Sequence, residues 1–571
     1  MKGRSFVLSA LILALGGFFA KAIGAVYKIP LTNILGSSGM GLYYLVFPVY
    51  SLIITICSSG LSVALSIEVA KCRKIRHRYN EQKLLRVCLV LSFLLSLFFT
   101  IVVLLVGRPL AEFQGNINAS LGYISIAPAI ILSSIIATLR GYFQGVENMV
   151  PTTVSMIVEQ IVKLSSGLIL AHALCNFGIQ YAVLGAIIGV TISEVVALII
   201  ISINFFTFKG QLFYNYRNLH YRGKKKYNTR PILKRKIHTK SLLKNFESCH
   251  YFKANSNQVR YTTKVAIKKI LKIAFPNTLS SIILPIITML DSFLIINLLI
   301  SSGYSSFVST SLYGLYGGVV QSLISLPIIL IAGVSTSIVP SLSGVVECEN
   351  RGAVGKRITF FIKLTWALGL LMFMLFFVFA EDILYFLYGD GLSRDVIDEL
   401  YYATEMLKLS SVSIIYYAFL QTFTAILQSI GKSMVPLFAM LISFCVRFLL
   451  LIVLVTRVNI NIFGVIIANT LFLGLTICIL AIFIRKYTEL NFDSWHKVFF
   501  PIIPSLVSLI LMKICHMGLC YIMNYFFSML FSAILGCSVF IIWLYFSRFF
   551  TLKEKKHFNL RKQKLTKTKS S

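Results

Sequence analysis

Charged residues are scarce in this sequence, and acids are scarcer than bases. Only 13% of the 571 residues are Asp, Glu, Lys or Arg, and 20 acids stand against 54 Lys and Arg, so the formal net charge is +34. A soluble chain usually carries about a quarter charged residues. Because 57% of the residues are hydrophobic, with a mean hydropathy of +0.83, most of the surface must face lipid.

Motifs for several kinds of chemistry are also missing. The 11 cysteines include no C-x-x-C pair, the 8 histidines show no metal-ligand spacing, and no G-x-x-x-x-G-K-[ST] loop is present. These absences argue against a metal centre and against an ATPase, and we expect no catalytic residue and no cofactor. The basic residues cluster in a few loops and the tail without a nucleic-acid-binding motif, so nucleic acid is not an expected partner.

Apolar segments of about 20 residues or more, long enough to cross a bilayer, recur along nearly the whole chain. The first resembles a signal peptide, because residues 20–22 fit an A-x-A cleavage site. Its apolar character resumes beyond that site, which favours an uncleaved helix. Pro48, Pro285 and Pro327 fall inside spans, where kinks or breaks are expected. The predicted spans are 6–28, 41–70, 84–107, 118–143, 151–173, 181–207, 268–299, 313–345, 357–380, 404–430, 434–456, 462–484, 498–516 and 521–547.

The charges of the loops predict the orientation. Loops 71–86 and 209–264 carry seven and fifteen Lys and Arg against one Glu each, and the tail 548–571 carries nine against one Glu. Segment 381–405 carries seven acids and a single Arg. Cytoplasmic loops of membrane proteins hold the excess of Lys and Arg. We therefore predict a multi-pass cell-membrane protein with both termini in the cytoplasm and 381–405 outside.

Short motifs recur in order along the chain. Gly-Leu-Tyr at 41–43 returns at 314–316, and Met-Val-Pro at 149–151 returns at 434–436. Such parallel repeats are typical of transporters that rock around a central cavity, although chance matching among apolar helices is an alternative. The predicted fold is all-α integral membrane, about 14 transmembrane helices in two parallel-repeat lobes plus two extra C-terminal spans. Its predicted parts are an N-lobe 1–207, a basic cytoplasmic loop 208–264, a C-lobe 265–484, two additional spans in 485–547 and a basic tail 548–571.

Ionisable residues inside the spans are the candidate functional groups. A charge at mid-bilayer costs roughly 2.5–3.5 kcal/mol on insertion scales, so it should face a cavity or a partner. Glu159 and Lys163 are four residues apart, which predicts a mutually neutralising pair on one helix face. Arg140 and Arg447 lie near span ends, where long side chains can reach the interface.

Two further acids have no charged neighbour in sequence. Glu194 and Asp291 are each expected either to bind a proton or cation, or to pair with a lysine of another helix. Asp291 lies deep in the first span of the second half, roughly opposite Lys21 in the repeat. We predict that Asp291→Asn impairs turnover more than folding; loss of the protein would instead mark Asp291 as a structural partner.

Lys21 and Lys28 form the sharpest signal. Seven residues on a helix make nearly two turns, so both side chains point the same way, and Gly17 and Gly24 lie on the same stripe. The stripe leaves room beside the backbone and presents two ammonium groups, which suits an anionic ligand. The alternative is close helix packing through the glycines.

A family resemblance rests on two stretches of sequence. One is YKIPLTNILG at 27–36, followed by GMGLY at 39–43; the other is RGYFQG at 140–145, followed by Pro151 and VEQIVK at 158–163. They resemble the stage V sporulation protein B group, in the polysaccharide-transporter branch of the MOP exporters. That branch stands alongside MurJ-type lipid II flippases and more distant multidrug extruders.

The resemblance covers almost everything except 209–264, and this long basic insert departs from the group. It implies fourteen spans in two lobes and export of a polyprenyl-diphosphate-linked saccharide, with a role in spore cortex peptidoglycan. The basic first helix of such flippases matches Lys21 and Lys28.

The favoured function is therefore a flippase for a lipid-linked oligosaccharide that works by alternating access, not an enzyme. Expected partners are that substrate, anionic membrane lipids and cell-wall synthases. One alternative is a cation-coupled multidrug exporter, which buried acids would serve; another is a non-transporting scaffold for cell-wall synthases. The predicted substrate-binding residues are Lys21, Lys28 and Arg140, and the predicted coupling or intramembrane charges are Glu159, Lys163, Glu194 and Asp291.

The loop charges predict which side of the membrane each loop faces. In a cysteine-free background, a single cysteine at position 390 should react with a membrane-impermeant thiol reagent added outside. Cysteines in 209–264 should react only after the membrane is opened. Labelling of position 390 from the inside alone would overturn this topology.

The insert 209–264 is predicted to be a flexible arm on the inner leaflet, because it is basic and lacks apolar periodicity. Anionic lipid attracts each such Lys or Arg by about 1 kcal/mol near the surface. Replacing the insert with a short Gly/Ser linker should leave transport largely intact. Complete loss of transport at normal membrane abundance would instead indicate a docking site for a synthase.

Overall fold

The computed structural model of this chain is helical throughout the residues that it describes, and no strand occurs among them. Helices suit a chain in lipid, because a membrane-spanning backbone must satisfy its own hydrogen bonds. The structure describes all residues except 1, 75–76, 226–259, 347–350, 390–397, 433, 458–459, 489–499, 548 and 550–571.

The described residues form seventeen α-helices and two π-helical turns. The π-helical turns are Thr55–Ser59, between α2 and α3, and Leu315–Val320, between α9 and α10. The helices are α1 (Lys2–Val26), α2 (Lys28–Ile54), α3 (Gly60–Lys74), α4 (Arg78–Phe113), α5 (Ser120–Gly145), α6 (Val150–Cys175), α7 (Ile179–Lys225), α8 (Thr263–Ser301), α9 (Ser306–Gly314), α10 (Gln321–Val346), α11 (Arg351–Val378), α12 (Ala380–Tyr388), α13 (Glu399–Ser429), α14 (Met434–Val455), α15 (Phe463–Thr488), α16 (Ile502–Leu519) and α17 (Tyr525–Phe546).

Thirteen helical segments of the described chain are long and apolar enough to cross a membrane. The first, Leu15–Arg73, has 59 residues, which at 1.5 Å per residue is about 88 Å, roughly twice the thickness of a bilayer with its headgroups. Gly36 interrupts it with φ 64° and ψ −175°, a backbone conformation that essentially only glycine adopts. This segment therefore supplies spans 1 and 2, which meet at Gly36, and the predicted all-α fold of about fourteen spans is confirmed.

The spans follow the helices in order. Span 1 is α1 with the start of α2, and span 2 is the rest of α2 with α3. Spans 3 to 6 are α4 to α7, span 7 is α8, and span 8 joins α9 to α10. Span 9 is α11, spans 10 to 12 are α13 to α15, and spans 13 and 14 are α16 and α17.

The structure changes two predicted boundaries. Span 6 continues as helix α7 to Lys225, so the first part of the predicted flexible arm 209–264 is helical; residues 226–259 of that arm lie outside the described residues. The predicted external segment 381–405 contains most of α12 and the start of α13. A helix of 47 residues is about 70 Å long, so α7 extends beyond what a bilayer requires.

Two of the spans with a predicted kink contain a π-helical turn, although neither turn includes the proline. Pro48 lies inside α2, seven residues before the turn Thr55–Ser59, and Pro327 follows the turn Leu315–Val320 in span 8. Proline removes a backbone donor, and π turns are a common cause of bends in helices. Pro285 lies inside the long helix α8.

Spans 2 and 8 cross at their predicted outer ends through Gly41 and Gly314, a contact we call the glycine crossing. Gly41 packs on the backbone of Thr310, and Gly314 packs on the backbone of Ser37, so a side chain at either glycine would overlap the other span. Both pairs, 37 with 310 and 41 with 314, have the repeat offset of 273. Reciprocal contacts of this kind are expected when two spans are related by a two-fold axis. The division of the chain into two lobes stays a prediction.

Hydrogen bonds between distant parts of the chain hold the same end closed. The hydroxyl of Ser37 donates to the carboxylate of Glu399, at the start of span 10. The amide of Asn33 donates to the carbonyl oxygen of Leu387 in α12 at 3.0 Å. The first two spans are therefore joined to the C-terminal half where the polypeptide turns at Gly36.

Asp291 of span 7 and Arg447 of span 11 form a buried, bidentate ion pair. Arg447 Nη1 and Nη2 donate to Asp291 Oδ1 and Oδ2, both at 2.8 Å, and the side chains are 3% and 14% exposed for Arg447 and Asp291. The prediction that Arg447 reaches the interface is wrong. Of the two alternatives left open for Asp291, the structure shows pairing with a basic residue of another helix, although that residue is an arginine and not a lysine. A charge in hydrocarbon needs a partner, and each of these residues supplies it to the other.

The ion pair predicts a structural role for Asp291. Asp291→Asn leaves the Arg447 guanidinium buried without a counter-charge, which should destabilise the protein by roughly 3–5 kcal/mol. We expect lower membrane abundance and a lower thermal unfolding temperature in detergent. The double variant Asp291→Asn with Arg447→Gln removes both charges and should recover much of the loss. If Asp291→Asn alone had normal abundance and stability but no transport, Asp291 would have a coupling role instead.

Candidate functional site

Three ionisable residues from other N-terminal spans contact one helix face of span 2. Tyr44, Phe47 and Tyr50 are spaced three residues apart, so they lie on neighbouring turns of that span. We call these three residues the aromatic face. Each of them contacts one ionisable side chain that comes from a different span. Span 2 also carries Gly41, so the helix that forms the glycine crossing also positions the charges.

The first contact is between Lys28 and Tyr44. Lys28 Nζ lies 2.6 Å from Tyr44 Oη and 5.2 Å from the centre of the ring. Tyr44 Oη is in turn 3.2 Å from the hydroxyl of Ser322 in span 8. The half-buried ammonium therefore lies beyond the hydroxyl of a neutral phenol, nearly in line with its C–O bond, and the phenol does not cancel its charge.

The second contact involves Lys163 of span 5. Its ammonium lies 4.6 Å from the ring centre of Phe47 and 5.7 Å from that of Tyr27. No carboxylate oxygen in the described part of the chain lies within 4.0 Å of it. The predicted neutralising pair with Glu159 is therefore not formed, although Glu159 is near enough to interact with Lys163 electrostatically.

Glu159 pairs with Arg140 of span 4 instead. Arg140 Nη2 lies 2.7 Å from Glu159 Oε2 and 2.7 Å from the hydroxyl of Ser155, and Gln160 donates to the other Glu159 oxygen at 3.0 Å. The Arg140 and Glu159 side chains are each only 15% exposed. Arg140 thus does not reach the interface, and this ion pair would have to open before the guanidinium could contact a substrate as predicted.

The third contact on the aromatic face is between Tyr50 and Glu194 of span 6. Tyr50 Oη lies 3.3 Å from Glu194 Oε1 and 3.0 Å from the hydroxyl of Ser133. Glu194 is 8% exposed and forms no ion pair with a Lys or Arg among the described residues. It lies within electrostatic range of Glu159, Arg140 and Lys163. Its first partners are therefore hydroxyl groups.

The predicted stripe of Lys21, Lys28 and two glycines does not share one environment. Lys21 is exposed, and a side chain at Gly17 would meet nothing within 4 Å. A Cβ atom at Gly24, in contrast, would come 2.8 Å from Gln160 Oε1 of span 5. The packing alternative therefore holds at Gly24, while Gly17 and Lys21 lie beside open space.

The three lysines lie at successive depths below the turn at Gly36. Counted along span 1, Lys28 is about 12 Å and Lys21 about 22 Å from that turn. Lys163 is about 18 Å from the outer end of α6 at Cys175. In the described structure none of the three has an ion-pair partner, and Glu194 is the nearby carboxylate without one. The arrangement is therefore net cationic and suits an anion.

The aromatic face and Ser322 are the part of the site that the sequence did not indicate. The signal available was the spacing of Tyr44, Phe47 and Tyr50, but the chain holds 45 Phe and 27 Tyr, so aromatic spacing alone carries little weight.

The predicted absence of a metal site concerns clusters of His, Cys, Asp and Glu. The described residues contain no group of three such side chains placed to hold an ion.

Comparison with known proteins gives two family matches and several relatives. Residues 6–226 match the family described as Polysaccharide biosynthesis protein, and residues 276–453 match the family described as MatE. Stage V sporulation protein B of Bacillus subtilis (strain 168) is 24% identical over 465 residues, covering 81% of this chain and 80% of that protein. The lipid II flippase MurJ of the same strain is 27% identical over 194 residues, covering 31% of this chain and 36% of that protein.

Solved structures share the fold. The lipid II flippase MurJ in an inward closed conformation aligns with a TM-score of 0.66 at 14% identity, covering 94% of this chain and 99% of that one. An inward-facing multidrug resistance MATE transporter of the MOP superfamily aligns with a TM-score of 0.63 at 16% identity, covering 82% and 94%. The resemblance found in the sequence is thereby confirmed: the chain is a multi-pass membrane protein with the fold of the MOP transporter superfamily, related to stage V sporulation protein B.

Proposed function

We propose that this protein is a flippase that moves a polyprenyl-diphosphate-linked saccharide across the cytoplasmic membrane by alternating access. The observation that carries the proposal is a set of three lysines without ion-pair partners in the described structure: Lys28 and Lys163, which contact span 2, and Lys21, which is exposed on span 1. The names of the relatives support it, since they include a lipid II flippase and a sporulation protein. A cell-wall precursor, made for the spore cortex, is the substrate class that we propose.

The physical problem of such a substrate is its diphosphate. Moving that group through hydrocarbon without compensation is prohibitive, so fixed positive charge must replace its hydration. Lysine acts as a compact point charge that imposes no single geometry on a phosphate. Three lysines at different depths therefore provide a series of weak anion sites, and the prenyl tail remains in lipid.

Retention of charge by these lysines depends on their aromatic partners. The ring faces of Phe47 and Tyr27 stabilise the ammonium of Lys163 by roughly 0.5–2 kcal/mol, and Tyr44 accepts a hydrogen bond from Lys28 through its hydroxyl. None of these partners adds negative charge, so both ammonium groups keep their charge, although Tyr44 occupies one donor of Lys28. A carboxylate partner, as in the pair of Arg140 with Glu159, would compete with the substrate.

A cation-coupled multidrug exporter is the second candidate, because Glu194 is a buried carboxylate without a Lys or Arg ion pair in the described structure. Such an exporter needs acids that attract an organic cation. The lysines around span 2 outnumber that acid, which favours an anionic cargo. In the flippase proposal, Glu194 serves as the coupling group and Arg140 keeps Glu159 in place. We further propose anionic lipids and cell-wall synthases as partners of the basic inner surface.

Charge reversal at two lysines tests the cationic site. Lys21→Ala and Lys28→Ala should each lower flipping roughly tenfold, which corresponds to about 1.4 kcal/mol, and Lys21→Glu with Lys28→Glu should abolish it. Lys→Arg should be tolerated better, because charge matters more than shape at a point-charge site. The measurement is a headgroup-accessibility assay for the lipid-linked saccharide, in cells or liposomes, at matched protein levels.

The control is Lys268→Glu, which reverses an exposed lysine near the start of span 7 and should leave flipping unchanged. Normal flipping by the double Lys21→Glu and Lys28→Glu variant would refute the cationic site. Gain of organic-cation export by that same variant would favour the multidrug exporter.

A further inference from the structure

Tyr44 contacts four residues through its hydroxyl, its ring and its carbonyl oxygen. Its hydroxyl lies between Lys28 Nζ of span 1 and Ser322 Oγ of span 8, at 2.6 Å and 3.2 Å. Its ring lies against Gly317, where a Cβ atom would come within 2.9 Å of the ring. Its carbonyl oxygen accepts from the hydroxyl of Tyr313 at 3.4 Å. Tyr44 therefore joins the cation of span 1 to span 8 beside the glycine crossing.

The direction of these hydrogen bonds follows from the chemistry of lysine. An ammonium group has donors and no acceptor, so Lys28 donates and Tyr44 Oη accepts. The hydrogen of the phenol is then free to be donated to Ser322 Oγ. Lys28, Tyr44 and Ser322 thus form one directed chain across spans 1, 2 and 8, in a state in which the outer end is closed.

An anion at Lys28 would compete for the same ammonium. A phosphate oxygen accepts a charge-assisted hydrogen bond from lysine, about twice as strong as a bond between neutral groups. An anion therefore binds better in any state in which Lys28 is not engaged with Tyr44. A ligand shifts a conformational equilibrium by its difference in affinity for the two states, so anion binding would favour release of Tyr44.

The part of span 8 against Tyr44 is locally irregular. Gly317 lies within the π-helical turn Leu315–Val320, which begins directly after Gly314 of the glycine crossing. Single π turns inside α-helices occur frequently at functional sites. Movement of Tyr44 away from Gly317 and Ser322 would act on the turn of span 8 that directly follows Gly314, the residue that packs on Ser37.

From these contacts we propose that Tyr44 is the positioning residue that links occupation of Lys28 by a diphosphate to opening of the glycine crossing. The inference rests on the proposed function, because it takes the anion to be the diphosphate of a lipid-linked substrate. In the empty protein, Lys28, Tyr44 and Ser322 hold spans 1, 2 and 8 together. Once the diphosphate takes Lys28, the phenol loses its donor and span 8 is released from span 2.

The test uses a reporter at the outer end of span 8. Ser311 is 2% exposed and its buried hydroxyl has no hydrogen-bond partner among the described residues, so Ser311→Cys is nearly isosteric and should react only when the glycine crossing opens. The full-length protein, otherwise free of cysteine, is reconstituted in liposomes. The labelling rate with an impermeant maleimide is measured with and without geranyl diphosphate, and binding of geranyl diphosphate is measured separately.

We expect geranyl diphosphate to raise the labelling rate at least threefold and geraniol to have no effect. Tyr44→Phe keeps the ring but removes the hydroxyl, so labelling should no longer depend on geranyl diphosphate although binding persists. Ser322→Ala should have the same effect with Tyr44 intact, and serves if Tyr44→Phe fails to fold. The matched control Tyr43→Phe changes a neighbouring buried tyrosine and should leave the response intact.

The failures of the two proposals are distinguishable. Loss of geranyl diphosphate binding in Lys28→Ala, with a response in the parent protein, supports both. Binding without any change in labelling, or an unchanged response in both Tyr44→Phe and Ser322→Ala, would overturn the role of Tyr44 and leave the flippase proposal standing. Absence of diphosphate binding in the parent protein would overturn the flippase proposal, and the role of Tyr44 with it.

Discussion

The cost of placing a charge in hydrocarbon governs the interior of this protein. The structure answers that cost in two different ways. Asp291 with Arg447, and Arg140 with Glu159, cancel their charges in short ion pairs. Lys163, in contrast, is set against ring faces. The two charges of an ion pair cancel each other, whereas a lysine on a ring face keeps its charge available for a ligand. Charges held in ion pairs are therefore structural, whereas a charge that lies against ring faces is suited to binding a ligand.

Span 2 is where these features meet. Its outer end carries Gly41 of the glycine crossing, and its next turns carry the aromatic face. A shift of this one helix changes both the closure of the outer end and the surroundings of Lys28, Lys163 and Glu194. The π-helical turn at Thr55–Ser59 lies just beyond Tyr50, so the helix has a built-in point of bending between its outer and inner parts. Glycine contacts without side-chain interlocking make such a shift possible.

Much of the fold could be predicted from the sequence, because hydropathy and span length depend only on local composition. The fourteen spans follow from runs of apolar residues, and Gly36 supplies the break between the first two. The extension of α7 to Lys225 was missed because a basic, polar segment shows no apolar periodicity. A helix can form without that periodicity. Charge pairing could not be predicted, since it depends on neighbours far apart in sequence. Asp291 and Arg447 are separated by 156 positions.

The candidate site could be predicted only in part, because its contacts also join residues that are far apart in sequence. Lys21 and Lys28 stood out because charge in an apolar run is conspicuous in any sequence. The spacing of Glu159 and Lys163 predicted a local pair, but Arg140 of the neighbouring span reaches Glu159 at 2.7 Å and leaves Lys163 to the rings. Tyr44 and Ser322 carry no charge and lie in different spans, so only the packing of spans 2 and 8 reveals their contact.

The ion pair between Asp291 and Arg447 has an electrical consequence. Its two charges sum to zero and are bound to each other, so movement of spans 7 and 11 along the membrane normal carries no net charge with this pair. The membrane potential does work of about 2.3 kcal/mol per elementary charge per 100 mV. That work therefore falls on the lysines beside span 2 and on any anion that they carry. If the protein is the flippase proposed above, an anion that leaves the lysines outward is driven by the usual interior-negative potential, and the resting voltage would supply energy for export.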